Sequence, residues 1–233
     1  MHATRLDAPT VVLPTRSGSL SWPGDATVAF DTGESIFTQG DAPDCLYAIV
    51  EGKVRIGRAA TDGRECVFTV LGPGDVFGEV SLLDVGPRTA TAIAVTDVLA
   101  TTLNRSQLLR RLADDPSSAD DLMRTLARRV RWHSDALVDL MSSDAPARVS
   151  KLLLRLARRF GARGDDGIRV ELDLNQEQFA QMVGTSRETV NKTLSEFASE
   201  GWIRLERDAI VIIDSQPLSR RTDGCQRSDR SSR

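Results

Sequence analysis

The sequence has no apolar run long enough to cross a bilayer, which excludes a helical membrane protein. Its first residues, Met1 to Pro14, lack the charged start, apolar centre and small-residue cleavage site of a secretory signal, and the chain is read as cytoplasmic. Cysteine is scarce. Cys45, Cys66 and Cys225 are odd in number and far apart, so neither a disulfide framework nor close metal-ligand spacing is present, and all three are read as reduced thiols. Only His2 and His133 could add imidazole ligands, so no metal site is expected. The sequence contains no Gly-x-Ser-x-Gly elbow, Walker phosphate loop or Gly-x-Gly-x-x-Gly fingerprint. With no other catalytic constellation either, the chain is not read as an enzyme.

What is present suits two ordinary domains in 233 residues. A 40% hydrophobic and 27% charged composition excludes wholesale disorder. The net charge of -3 hides an asymmetry: Met1 to Leu140 carries 14 basic and 19 acidic residues, Met141 to Arg233 16 and 14. The mildly basic half suits nucleic acid better than the acidic one.

From Ala26 to Leu103, strand-sized runs such as Leu46 to Val50, Lys53 to Ile56, Cys66 to Val70 and Ala92 to Val95 alternate with glycine turns. Many short strands so spaced indicate a sandwich or closed barrel. The preceding residues, 1–25, show no period and are read as an irregular arm. After Asn104 the period changes. Asp114-Asp115-Pro116 places a carboxylate cap before a first-turn proline and opens a long helix. Along it Met123, Leu126, Val130, His133, Leu137 and Leu140 step by 3, 4, 3, 4, 3, the a/d spacing of a coiled-coil seam. A single helix alongside a barrel could show the same stripe, but Arg128, Arg129 and Arg131 on the other faces indicate a narrow seam and hence a parallel dimer.

Asp144-Ala145-Pro146 repeats the capping signal for a helix that Gly161 stops. Ile168 to Leu172 alternates like a strand, and Asn175 with Gln178 predicts a capping box for a helix ending near Val183. Gly184 turns the chain. Thr185 with Glu188 repeats the box for a helix whose apolar face is Val190, Leu194 and Phe197 and whose stop is Gly201. Ile203 to Glu206 and Ala209 to Ile213 form a hairpin, and the serine- and arginine-rich residues 215–233 are read as disordered.

Helix, glycine turn, helix and hairpin is the order of a winged helix-turn-helix, whose second helix enters the major groove. Burying Val190, Leu194 and Phe197 turns Glu188, Asn191, Lys192 and Ser195 outward, with Arg187 near the amino end. Arg and Lys donate to guanine O6 and N7, and Glu accepts from cytosine N4. Gly184-Thr185-Ser186-Arg187-Glu188-Thr189-Val190 resembles the recognition-helix motif of the cyclic AMP receptor protein and fumarate-nitrate regulator family, closest to its cyclic AMP receptor branch, of actinobacterial type. The resemblance covers about Ala26 to Asp214. It implies DNA-binding residues Thr185, Ser186, Arg187, Glu188, Asn191 and Lys192, an inverted-repeat GTG/CAC-type DNA site, and RNA polymerase as a partner.

A second block, Gly72 to Ala90, resembles the family's phosphate-binding cassette. Its chemistry is also readable directly. A short helix starting near Gly78 would offer free backbone N–H groups to an anion, Arg88 a fixed charge for a phosphodiester, Glu79 an acceptor for a ribose hydroxyl, and Ser81 or Thr89 a hydroxyl donor. The nucleotide set is therefore Gly78, Glu79, Val80, Ser81, Arg88 and Thr89, to which the resemblance adds His133 and Ser134 on the long helix beside adenine. The competing reading is a structural ion pair between Arg88 and Glu79 in a barrel without ligand.

The resemblance thus implies an α+β fold: an N-terminal β-roll of the double-stranded β-helix or jelly-roll type, a long dimerisation helix and a C-terminal winged helix-turn-helix. The expected boundaries are 1–25 for the arm, 26–113 for the β-roll, 114–142 for the dimerisation helix, 143–214 for the DNA-binding domain and 215–233 for the tail. The expected function is a homodimeric, sequence-specific transcription regulator controlled allosterically by cyclic AMP, with no membrane partner. Two alternatives stay open: a regulator with a degenerate pocket that binds DNA without nucleotide, and a nucleotide-sensing module that controls a partner protein.

Overall fold

Residues Cys45–Glu51 (β4 below) alternate strictly, with Tyr47 and Ile49 turned into one apolar core and Leu46 and Ala48 into another. A strand apolar on both faces must lie between two layers. In the computed structural model, which describes residues 5–6, 26–60 and 65–224, those layers are a second sheet on one side and helices on the other.

The chain divides into two compact units, Met1–Arg129 and Val130–Arg233. In the first, β1 (Arg5–Leu6), β2 (Ala26–Phe30), β9 (Val98–Asn104), β4 and β7 (Val76–Phe77) form one antiparallel sheet in that order. A second sheet runs β3 (Ser35–Phe37), β8 (Thr91–Ala94), β5 (Val54–Ala59) and β6 (Glu65–Leu71). Phe30, Phe37, Tyr47, Ile49, Val54, Phe77 and Ala92 fill the space between them. The outer face of the first sheet, through Leu46, Ala48, Val76 and Leu103, packs on α1 (Glu79–Leu83), α2 (Arg105–Asp114) and the start of α3 (Pro116–Ser142).

The expected arm needs correction, since Arg5 and Leu6 pair with Val28 and Thr27 as an edge strand. Two residues carry no periodicity, so nothing local could signal that strand. The rest of the arm lies outside the described residues.

Asp115 opens α3 as its spacing predicts, its Oδ1 accepting from the Ser117 N–H at 3.0 Å. The first half of α3 departs from the seam arithmetic. Leu122 is buried and Leu126 packs beside it on the outer core of the first unit, whereas Met123, Val130 and Leu137 are exposed. Leu126 therefore belongs to the barrel-side face as much as to the stripe.

In the second unit, Asp144 caps α4 (Ala145–Phe160) by accepting from the Ala147 N–H at 2.8 Å. The remaining elements are β10 (Ala162–Gly164), β11 (Gly167–Glu171), α5 (Gln176–Val183), α6 (Arg187–Ser199), β12 (Ile203–Leu205), β13 (Ala209–Ile212) and α7 (Ser215–Gly224). The sheet runs β10-β11-β13-β12, all antiparallel. Val149, Leu153, Val170, Phe179, Val190, Phe197 and Ile210 form one core beneath the helices.

The tail assignment also needs correction: Ser215–Gly224 is helical, and Leu218 is completely buried in that core. One apolar side chain among serines and arginines gives a weak periodic signal, but the start signal was present. Asp214 accepts from the Gln216 N–H at 2.9 Å ahead of Pro217. Residues 225–233 lie outside the described residues. Leu218→Ala should therefore destabilise the second unit by about 2–5 kcal/mol in a denaturant titration. An unshifted midpoint would mean that the tail is not part of the fold.

Candidate nucleotide pocket and DNA-reading helix

The cassette begins where β7 ends. Gly78 adopts a left-handed backbone (φ +80°) and caps α1 without any side-chain hydrogen bond, so among the described residues no side chain caps the first N–H groups of that helix. A Cβ at Gly78 would stand 2.6 Å from Arg88 Nη1, which together with the positive φ requires glycine. Val80 and Thr89 are exposed, and Ser81 donates to the Pro87 carbonyl at 3.1 Å.

Arg88 and Glu79 are each only 2% exposed. Buried charges need partners, but these two do not pair with each other. Arg88 Nη1 donates to the Gly78 carbonyl at 2.8 Å, and Nη2 donates to Asp44 Oδ1 at 2.7 Å and the Cys45 carbonyl at 2.6 Å. The guanidinium also lies over the Phe37 ring, 4.1 Å from its centroid. Glu79 instead receives Arg129 Nη1, while Arg129 Nη2 donates to the Val76 carbonyl.

Leaving either charge unpartnered would cost several kcal/mol, so both pairs are needed to keep the pocket folded. Sequence reasoning missed Asp44 and Arg129. Their partners lie 44 and 50 residues away, and no local spacing links them. Within the cassette the buried Nε of Arg88 stays unsatisfied. A cationic group with an unused donor, beside uncapped helix N–H groups, fits an anionic ligand. Burial pushes the Cys45 thiol up to about 11, so it stays protonated beside this site at neutral pH. Among the described residues no cluster of His, Cys, Asp or Glu could hold a metal ion.

His133 and Ser134 are exposed residues of α3 within the second unit. His133 meets the Trp132 ring edge-on at 4.6 Å, and Ser134 donates to the Val130 carbonyl at 3.0 Å. Further along α3, Leu140 packs so close to Gly184 that a Cβ there would stand 2.5 Å from Leu140 Cδ2. Arg148 of α4 adds a second tie, donating to the Ser143, Val183 and Gly184 carbonyls.

Asn175 and Gln178 make both bonds of the predicted capping box at α5, and Gly184 (φ +73°) supplies the left-handed turn. The next cap is one residue later than the spacing indicated. Ser186, not Thr185, accepts from the Thr189 N–H at 3.2 Å, and α6 starts at Arg187. Two adjacent hydroxyl residues make such a slip natural, and the backbone of the turn decides between them.

Arg187, Glu188, Lys192 and Ser195 are exposed on α6 and Asn191 is half-buried, while Val190, Leu194 and Phe197 are buried. Glu188's bond to its own backbone N–H, then Ser186 and nearby Arg187, hold its carboxyl below the usual carboxylate range. It is therefore an ionised acceptor at neutral pH. Gln176 of α5, which sequence reasoning also missed, accepts from Arg187 Nε at 3.0 Å and Asn191 Nδ2 at 3.2 Å.

Residues 27–115 match the cyclic nucleotide-binding domain family, and residues 147–221 match the Crp-like helix-turn-helix domain family. A CRP-like cAMP-activated global transcriptional regulator of Mycobacterium tuberculosis (strain H37Rv) is 50% identical over 194 residues, 83% of this chain and 87% of that protein. The cyclic AMP receptor protein of Thermus thermophilus is 40% identical, over 81% of this chain and 84% of its own. Among solved structures, FixK2 from Bradyrhizobium japonicum is similar with a TM-score of 0.74 at 26% identity, covering 83% of this chain and 95% of that one. A CRP-family transcriptional regulator from Thermus thermophilus gives 0.71 at 29% identity, covering 84% and 96%. No helix among the described residues is long and apolar enough to cross a membrane. With a nucleotide-binding β-domain, a long helix and a helix-turn-helix in this order, the chain belongs to the Crp/Fnr family of DNA-binding transcription regulators.

Proposed function

We propose that the protein is a homodimer that binds an inverted-repeat DNA site of GTG/CAC type under allosteric control by cyclic AMP, and that it recruits or positions RNA polymerase there. The observation that carries this reading is the open face of α6, where Arg187, Glu188 and Lys192 are exposed on a helix fixed from behind by Val190, Leu194 and Phe197. Arg187 and Lys192 suit guanine O6 and N7, and ionised Glu188 suits cytosine N4. Two such helices about a two-fold axis require half-sites about one helical turn apart.

The exposed stripe of Met123, Val130 and Leu137 supports the dimer. Control through α3 draws on Leu140, which belongs to the stripe and also touches the Gly184 turn, and on the Arg148 tie to the same turn. In the pocket, Arg88 would take the phosphate, with Ser81, Thr89 and the N–H groups of Gly78, Glu79 and Val80 around it. Glu79 would take the ribose, and His133 and Ser134 the adenine. The M. tuberculosis and T. thermophilus relatives, whose names refer to cyclic AMP, support that effector.

A regulator that needs no nucleotide has one observation in its favour: Arg88's terminal nitrogens already have protein acceptors, among them Asp44. Titrations with the inverted repeat and a scrambled duplex, with and without cyclic AMP, separate the two readings. Under the leading reading the nucleotide tightens specific binding, and Arg187→Ala costs about 1–3 kcal/mol on the specific site with a smaller loss elsewhere. Equal losses on both duplexes would assign α6 to the backbone and overturn the base-reading assignment, and tight specific binding untouched by nucleotide favours the second reading.

A further inference from the structure

Gln176, the exposed first residue of α5, touches the reading face of α6 through a single oxygen, its Oε1, which accepts from both Arg187 Nε and Asn191 Nδ2. We propose that Gln176 is a positioning residue for base recognition, holding the Arg187 guanidinium and the Asn191 amide at the angles from which they meet base edges. This rests on the reading of Arg187 as a guanine reader.

The chemistry of the donors fixes every orientation in the cluster. Arginine Nε can only donate, so the glutamine atom facing it must be the carbonyl oxygen. That oxygen in turn requires the nitrogen of the Asn191 amide to face it, and Asn191 Oδ1 is left as an acceptor without a hydrogen bond among the described residues. Arg187 and Asn191 are four residues apart, so one acceptor secures neighbouring positions along one helix face.

Committing Nε leaves Nη1 and Nη2 of Arg187 without another hydrogen bond among the described residues. Those two nitrogens are the fork that spans guanine O6 and N7. The uncommitted Asn191 Oδ1 suits a base amino group, adenine N6 or cytosine N4. The anchor is itself secured, because the Asn175–Gln178 capping box fixes the backbone on either side of Gln176. A side chain held before DNA arrives loses less rotamer freedom on binding, worth about three- to tenfold in affinity for one long side chain.

The test uses the full-length protein, Gln176→Ala, Arg187→Ala and the double variant. Each is titrated against the inverted repeat, the same site with the Arg187-contacted guanine replaced, and a scrambled duplex. Gln176→Ala should lose about three- to tenfold on the intact site, little on the scrambled duplex, and melt as the parent does. Melting should hold because the side chain is exposed and the cap belongs to Asn175. In the Arg187→Ala background, Gln176→Ala should no longer change discrimination at that guanine.

Equal losses on the intact and scrambled duplexes would make Gln176 a backbone contact and overturn the proposal. Additive effects with Arg187→Ala, or a lowered melting temperature with matching losses on every duplex, would do the same. If Arg187→Ala itself leaves discrimination unchanged, the reading of α6 fails and the proposal falls with it, an outcome visible before the double variant is made.

Discussion

Glutamate at Val130 or at Leu137 is expected to leave the protein monomeric at micromolar concentration and to remove tight binding to an inverted repeat. These two side chains are 65% and 63% exposed and stand seven residues apart on α3, so each would meet its own counterpart across a parallel two-fold seam. Burying one such side chain stabilises by about 1.5–3 kcal/mol, and the symmetry applies it twice. A glutamate there would instead bring two carboxylates together without a cation, at a cost of several kcal/mol each when desolvated. Half of an inverted repeat read by one helix loses the second half-site's contribution, so specific DNA affinity should fall with the dimer.

Leu126→Glu is a poorer probe. Leu126 packs with Leu122 on the outer core of the first unit, and a charge there would unsettle that unit as well. Arg128→Glu is the control, because Arg128 lies five residues past Met123, on the side of the helix away from the stripe. Sedimentation should show Arg128→Glu as a dimer and the Val130 and Leu137 variants as monomers. A dimer that survives glutamate at both seam positions would place the interface elsewhere.

Where sequence and structure agree, local chemistry was sufficient. The Asn175–Gln178 box, the Asp144 cap and the left-handed Gly184 turn are each decided by residues within four positions, and the strand-sized run Leu46 to Val50 is a property of that segment alone. The disagreements come from tertiary context. Strand β10 is exposed at all three residues and offers no apolar pattern. Helix α7 is held by one buried leucine. Leu126 fits the a/d count, but only the fold shows that it also packs on the outer core of the first unit.

The same limit applies to the candidate site. Arg88, Glu79, Arg187 and Glu188 could be picked out as groups able to recognise phosphate, ribose or bases. Their keepers, Asp44, Arg129 and Gln176, could not, since each is recognised only by what it touches. This changes how the pocket must be tested. Arg88 reads from sequence first as a ligand group, but it also supplies donors to two backbone carbonyls inside the fold.

Arg88→Leu is therefore expected to abolish cyclic AMP binding and also to lower the stability of the first unit. The Gly78 and Cys45 carbonyls would lose their donors, at about 1–3 kcal/mol for each left unsatisfied. Asp44 matters less, because its side chain is 72% exposed and water can replace the lost guanidinium. Loss of binding in that variant alone could thus reflect an unfolded pocket.

Arg88→Lys separates the two effects. It keeps the positive charge but not the planar fork, which can serve a ligand oxygen and a protein carbonyl at once. A charge-assisted hydrogen bond is worth about 1.5–3 kcal/mol, so Arg88→Lys should weaken cyclic AMP by roughly 10- to 150-fold while melting closer to the parent than Arg88→Leu does. Calorimetric titration with cyclic AMP and cyclic GMP, beside a melting curve for each variant, reads both quantities. A folded Arg88→Lys protein that binds cyclic AMP as tightly as the parent would move the phosphate away from Arg88. Thr89, Ser81 and the N–H groups at the start of α1 would then be left as its anchors in the cassette.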